Sequence, residues 1–357
     1  MNLALTLAAL AAASAADMQS IVDQFRVDQQ IPGVSVVVTQ EDDVLFAGGS
    51  GFADLETDRP MTPDTILYAG SLSKIYTGVL TLNLAAKGRL ELDAPVAGIG
   101  VTPDRSDSRI TVRHLLTHAS GLDREGDFGY WFSAKFPDDR ALASYLAATE
   151  LRSVPGEEFH YSNIGYAMLG TVAARATGQS YNDALHERVL QPLGLNSSGS
   201  PGPVTDMAVG YSPVNRVIPS RERPFAGLGR QVGDRYVREY HDAKAMTPAF
   251  GIYTTANDLS LLARFLLGFG GNAVLSDTLR SQMLSAQDSG WGLGIKIDRL
   301  MGRPVARHSG WFAAHKSHLL LDLQSGIAVV VMANADSAAP AAIAETLVSS
   351  ALGLTTQ

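Results

Sequence analysis

Apolar residues recur at helical spacing between residues 17 and 30, with Ile21, Val22 and Phe25 on one face, and the pattern stops at Ile31-Pro32-Gly33. Residues 34–39 are β-branched and nearly continuous, the mark of a buried strand. The acidic turn Glu41-Asp42-Asp43 leads into a second strand over 44–47, so the pair reads as a hairpin. A helix with Ile75, Val79, Leu80, Leu82 and Leu84 follows and ends at Lys87-Gly88, a cation-then-glycine stop. Helical spacing returns over 112–117, 140–149, 164–177, 182–189 and 257–267, while 197–248 is rich in Gly, Pro and Arg and reads as a long irregular loop region. Near the C-terminus 292–297, 305–308, 317–322 and 327–334 are extended, Gln324-Ser325-Gly326 turns between the last two, and 338–352 is a closing helix. Strand-rich ends flank a helical middle. This predicts an α/β fold whose antiparallel sheet is built from both ends of the chain (about 17–89 and 286–357), with a helical lobe (about 90–285) inserted between them.

Composition narrows the function. The chain has 357 residues, 46% of them hydrophobic and 18% charged, enough for a large core in two lobes. Its net charge of −8, without a basic run, disfavours nucleic acid and anionic membranes as partners. It has no cysteine, which excludes disulfides, thiol catalysis and cysteine–metal sites. The first sixteen residues resemble a signal peptide: an apolar run over 3–12, too short to span a bilayer, then Ala13-Ser14-Ala15 or Ser14-Ala15-Ala16 as a small-residue cleavage site before Asp17. Export to the periplasm or medium is the expectation, although the run lacks a preceding Lys or Arg; the competing reading extends the first helix backwards.

Ser71-Leu72-Ser73-Lys74 carries the strongest chemical signal. Residues three apart share a helix face, so the amine of Lys74 can stand beside the hydroxyl of Ser71. A serine hydroxyl needs a neighbouring base to become a nucleophile, and a desolvated lysine can be that base. The alternative is that Ser71 merely caps a helix. His160-Tyr161-Ser162-Asn163 follows the turn at Pro155-Gly156-Glu157. Tyr161 can offer its phenol to a nearby hydroxyl and relay protons if cations lower its pKa, and the Asn163 amide can bond Lys74 and a substrate carbonyl. In His308-Ser309-Gly310-Trp311 a strand edge with a glycine admits a substrate close to the backbone. The N–H groups of Trp311 and Ser71 can form an oxyanion hole, and His308 can bond a substrate carboxylate or carbonyl.

Ser71-x-x-Lys74, Tyr161-x-Asn163 and His308-x-Gly310 resemble, in order and spacing, the motifs of the serine β-lactamase/penicillin-binding-protein superfamily. The tyrosine form of the second motif is similar to class C β-lactamases, DD-peptidases and family VIII esterases. The surrounding segments agree over about 31–334: His114-Leu-Leu-Thr-His-Ala-Ser-Gly-Leu122, Tyr161-Ser-Asn-Ile-Gly-Tyr166, Pro192-Leu-Gly-Leu195 and Gly251-Ile-Tyr-Thr-Thr-Ala-Asn-Asp258. The resemblance implies a β-lactamase/transpeptidase-like sandwich with a helical lobe, an acyl-enzyme on Ser71, Lys74 and Tyr161 sharing base and acid roles, Asn163, His308, Ser309 and Gly310 binding substrate, and no cofactor or metal. The implied partner is a small ester, amide or short peptide. A serine hydrolase on small esters or amides, a DD-peptidase or D-amino-acid peptidase on cell-wall peptides and a non-catalytic penicillin or peptide binder remain as alternatives. Class C enzymes carry Lys-Thr-Gly where this chain has His308-Ser309-Gly310, and many relatives have a Pro-Gly pair where it has Phe312-Ala313-Ala314-His315.

Two histidine pairs have spacings of interest. His114 and His118, four apart on one helix, have metal spacing but no third ligand, so a structural role is expected. His315 and His318, three apart on a strand, face opposite sides and read as surface or rim residues.

Overall fold

Alternate residues of the central strands enter two different cores, which is why their sequences lack polar alternation. In strand β1 (Gly33–Gln40) Val34, Val36 and Val38 pack on one side of the sheet and Val37 on the other. A computed structural model describes residues 13–99, 109–202, 204–213, 231–233, 235–239, 241–287 and 289–354. Its main sheet has seven strands. The others are β2 (Asp43–Asp54), β3 (Arg59–Pro60), β4 (Lys296–Leu300), β5 (Arg303–Phe312), β6 (His315–Asp322) and β7 (Ile327–Ala333), in the spatial order β3-β2-β1-β7-β6-β5-β4. β1 pairs antiparallel with β7, Val34 opposite Ala333, so the two ends of the chain meet at the centre of the sheet.

Helices α1 (Ala15–Asp28) and α6 (Pro340–Ala351) cover one face, where Met18, Val22, Ile343 and Leu347 meet the odd-numbered residues of β7. Burying each such side chain contributes about 1.5–3 kcal/mol. The other face carries α2 (Ser73–Ala86), α3 (Val112–Leu116), α4 (Asn163–Thr177) and α5 (Ala256–Leu267) in a second core. Ser14 caps α1, accepting the Asp17 N–H while the Asp17 carboxylate accepts the Ser14 N–H. The small-residue segment expected at a cleavage site thus starts the first helix, and the apolar run over 3–12 lies outside the described residues. No helix among the described residues is long and apolar enough to cross a membrane.

The departures from expectation have local causes. The strand expected over 292–297 begins only at Lys296, because Gly294 takes φ +101° and turns the chain against α2. The helix expected over 182–189 is α-helical only for Tyr181–Leu185 and continues as a π turn over His186–Leu190. Within the expected loop region, Gly210–Pro213, Gln231–Val232 and Tyr236–Glu239 form a small three-stranded sheet. β5 runs four residues past its expected end at His308. It turns through Ala313 (φ +48°) and Ala314 (φ +57°), a two-residue hairpin whose left-handed residues are normally Asn or Gly.

Candidate active site

Ser71 lies in a 3-10 turn, Gly70–Leu72, immediately before α2. Gly70 has φ +56°, and a Cβ there would stand 2.2 Å from the Trp311 nitrogen, so the turn is pressed against the β5 backbone. Gly310 makes the same approach: its Cβ would stand 2.0 Å from Ala69 O. Lys74, one turn after Ser71, is fully buried on α2. Its Nζ lies 3.4 Å from Ser71 Oγ, 2.6 Å from Asn163 Oδ1 and 2.8 Å from Ala249 O. Burial holds this amine well below the ordinary lysine range; Glu125 draws it back up and Arg124 pushes it further down.

Tyr161 and Asn163 arrive at the start of α4. Ser162 caps that helix, its Oγ accepting the Gly165 N–H at 2.8 Å and donating to Asp123 O at 2.6 Å. Tyr161 is thereby held in front of the helix, its ring 4.9 Å from Lys74 Nζ. Burial pushes the phenol up, and the influence of the Ser71 hydroxyl and the charge of Arg124 only partly offset this. The cation-lowered tyrosine expected from the sequence is therefore absent: both Lys74 and Tyr161 are held towards their neutral forms. Asn163 Oδ1 faces Lys74, while its Nδ2 lies 2.9 Å from both Glu125 oxygens. The amide hydrogens foreseen for a substrate carbonyl thus go to Glu125.

The third segment sits mid-strand. In a two-residue hairpin the residues flanking the turn form the hydrogen-bonded pair, here Phe312 and His315, and the pattern then alternates. Trp311, opposite Lys316, therefore directs its N–H away from β6. β4 pairs only with residues 303–307, so that side of Trp311 is an open sheet edge. The indole N–H of Trp311 donates to Asp336, and its ring stacks on Trp131 (5.1 Å, 19°). His308 is buried and pushed down to about 3, chiefly by burial and then by Lys74. Its Nδ1–H donates to Ser309 O at 2.7 Å, so the neutral ring presents its remaining nitrogen only as an acceptor. The carboxylate-donor role foreseen for His308 is not available to this tautomer.

Ser71, Tyr161, Asn163, His308 and Trp311 line one cleft of about 1130 Å³, together with Arg124, Glu125, Trp131 and Trp291, and Lys74 is buried behind its wall. All three tryptophans of the chain lie on its wall. The sequence reading missed Glu125 and Trp131, which sit in a Gly-interrupted stretch with neither motif nor period. His118, His315 and His318 are held by hydrogen bonds and packing within the fold. α3 stops at Leu116, and His118, at φ +59°, leaves the helix; its Nδ1 accepts the Ser162 N–H at 3.0 Å and its ring packs on Tyr161 at 4.3 Å. His315 and His318 are both buried, His315 away from the cleft and His318 on its wall: His315 lies 3.1 Å from Ala208 O, and His318 Nδ1 lies 2.8 Å from Ser309 Oγ. Both belong to β6, which is covered on its two faces.

A serine paired with a buried amine and a phenol, at the edge of an antiparallel sheet in a mixed α/β fold, defines the class of β-lactamase/transpeptidase-like proteins. The chain belongs to the Beta-lactamase family, whose sequence profile matches residues 18–352. Among curated relatives it is 28% identical to esterase EstB of Burkholderia gladioli, over 91% of each chain. It is also 28% identical to penicillin-binding protein 4 of Amycolatopsis lactamdurans, over 89% of this chain and 85% of that one. A penicillin-binding protein homologue from Pyrococcus abyssi, described as octameric, shares the fold with a TM-score of 0.81 at 24% identity, over 95% of this chain and 78% of that one. D-amino acid amidase from Ochrobactrum anthropi SV3 does so with a TM-score of 0.78 at 22% identity, over 94% and 96%.

Proposed function

We propose that this protein is a serine hydrolase that carries its acyl group on Ser71 and acts on small esters or amides. The observation that carries the reading is the environment of Lys74. A neutral amine has two hydrogens and one lone pair. The two hydrogens have acceptors in Asn163 Oδ1 and Ala249 O, and the third neighbour is Ser71 Oγ. The lone pair is left for the Ser71 proton.

In the proposed cycle Ser71 Oγ bonds to the substrate carbonyl carbon while its proton passes to Lys74. The carbonyl oxygen, now anionic, sits between the N–H groups of Ser71 and Trp311, brought side by side by the Gly70–Trp311 contact. The bond to the leaving atom breaks as Tyr161 donates its phenolic proton to that atom, and the phenol recovers a proton from the Lys74 ammonium. Water repeats the sequence in reverse and frees Ser71. The open edge of β5 beyond Arg307 also suits an extended backbone, which supports short peptides as a second substrate class. The reading places the catalytic unit over 17–357 and, on the leader-like first sixteen residues, in an exported protein.

A fluorophosphonate should add one label at Ser71, located by mass spectrometry of the digest. Ser71→Ala should lose the label and at least 10³-fold of p-nitrophenyl ester turnover with its circular dichroism unchanged. A label on Ser73 or Ser309 would overturn the assignment.

A further inference from the structure

A side-chain amide has two chemically opposite ends, and the proposed base works only if Asn163 turns its oxygen to Lys74. With Nδ2 there instead, a neutral amine would have to spend its lone pair on the amide hydrogen and have none for Ser71. Lys74 itself does not choose, because a neutral amine can donate or accept. The choice is made on the far side of Asn163. Glu125 places both carboxylate oxygens 2.9 Å from Nδ2, and a carboxylate only accepts. Glu125 is in turn held by the buried Tyr130 hydroxyl, which donates to Oε2, and by Arg124 Nε, 3.0 Å from Oε1. The line Tyr130–Glu125–Asn163–Lys74–Ser71 therefore has one direction of donation at its Glu125–Asn163–Lys74 joints.

We propose that Glu125 is a positioning residue which, by accepting the Asn163 amide hydrogens, aims Asn163 Oδ1 at Lys74 and so reserves the amine lone pair for Ser71. The inference rests on the serine-hydrolase reading above. Glu125 has a second effect, through charge. Among the described residues, the titratable groups facing Lys74 are Tyr161, two residues before α4, and Tyr166 within it, His118 after α3, His308 on β5, and the pair Arg124–Glu125. The two tyrosines and two histidines are held neutral by burial, so Glu125 and Arg124 supply the charge that Lys74 feels. Removing the Glu125 charge lowers the Lys74 pKa further and moves the acid limb of reactivity to lower pH.

Two variants separate the effects. Glu125→Gln loses the charge but keeps an acceptor oxygen; Glu125→Met loses both. The readout is the second-order rate of fluorophosphonate labelling at Ser71 in the full chain, followed from pH 5 to 9, which needs no knowledge of the natural substrate. Glu125→Gln should label within about threefold of the wild-type plateau with its acid limb shifted down. Glu125→Met should label roughly 10²-fold or more slowly, the usual loss when a general base is disabled. Thermal melting of both variants identifies simple unfolding; if Glu125→Met does not fold, Glu125→Leu with Tyr130→Phe takes its place. Equal plateau rates for Met and wild type, equal losses for Gln and Met, or an unmoved acid limb in Gln would each overturn the inference and leave Ser71 labelled. No label on wild-type Ser71 would sink the hydrolase reading itself, and this inference with it.

Discussion

Gly70 and Trp311 touch through their backbones: a Cβ on Gly70 would stand 2.2 Å from the Trp311 nitrogen. The contact joins the turn that carries Ser71 to the strand edge that carries the second N–H of the proposed oxyanion hole. Ser317 Oγ donates to Ala69 O at 2.7 Å and reinforces it from the next strand.

A methyl group at this seam should be felt in both stability and rate. In Gly310→Ala the new Cβ would meet Ala69 O at 2.0 Å and Ser317 Oγ at 2.2 Å, and Ala69 O is backbone that cannot step aside alone. Overpacking of this kind costs about 1–3 kcal/mol. Activity should fall by 10²-fold or more, the usual effect of losing one oxyanion donor. Urea denaturation and ester turnover measure the two effects, and wild-type values for both would disprove the seam.

Tyr161→Phe should separate the acid from the base. Burial keeps the Tyr161 phenol protonated and the Lys74 amine neutral, so the phenol is the proton donor and the amine the acceptor. Ester or amide turnover should fall by roughly 10²–10⁴-fold. Fluorophosphonate labelling expels fluoride, which needs no proton from a phenol, and should fall far less. Because Lys74 must be unprotonated and its pKa lies well below 10.5, both rates should rise with pH and level off well before that value. A labelling loss as large as the turnover loss would make Tyr161 the base instead.

Much of this site was legible because it lies in short motifs. Three residues of helix spacing put Ser71 and Lys74 together, and the Ser162 cap that positions Tyr161 and Asn163 is local too. The sheet from both ends was legible because β1 and β7 are apolar without alternation. Glu125 was not, since its meaning comes from Asn163, 38 residues away, and its own neighbours show no pattern. The length of β5 was hidden by Ala313 and Ala314, residues that rarely make a two-residue hairpin turn. Histidine burial was hidden because strand period says which face a residue takes but not whether that face is covered.

Those buried histidines make the protein sensitive to acid. Burial pushes His308 down to about 3 and His315 and His318 to about 4, and His118 falls well below its ordinary value. The folded pKa values are below the unfolded value near 6.5, so their contribution is fully present above that pH and is lost as pH falls towards 4. Each histidine that must stay neutral adds a slope of about 1.4 kcal/mol per pH unit in that window. His118 also loses the Ser162 N–H bond when protonated, because its Nδ1 is the acceptor. Denaturation at pH 7.0, 5.5 and 4.5 should show stability dropping by several kcal/mol, with proton uptake on unfolding. Equal stability at all three would show that the histidines titrate as exposed ones do.

Substrate choice should follow from the chemistry of His308. A lysine at this place, as in class C β-lactamases, is a fixed cation. His308 is neutral at physiological pH, and its one hydrogen is given to Ser309 O. It offers a β-lactam carboxylate neither charge nor donor. Arg307, next to it on β5, is already paired with Asp298 and Glu345, and Asp336 adds a negative charge on the cleft wall. A charge-assisted hydrogen bond is worth about 1.5–3 kcal/mol, so its absence weakens such a carboxylate by roughly 10 to 150-fold. Short-chain esters and uncharged amides do not need it. p-Nitrophenyl butyrate should therefore exceed nitrocefin in kcat/KM by tenfold or more, and His308→Lys should narrow that gap by favouring nitrocefin. A wild-type protein that prefers nitrocefin by tenfold would show that another group holds the carboxylate, and that the protein acts as a β-lactamase despite His308.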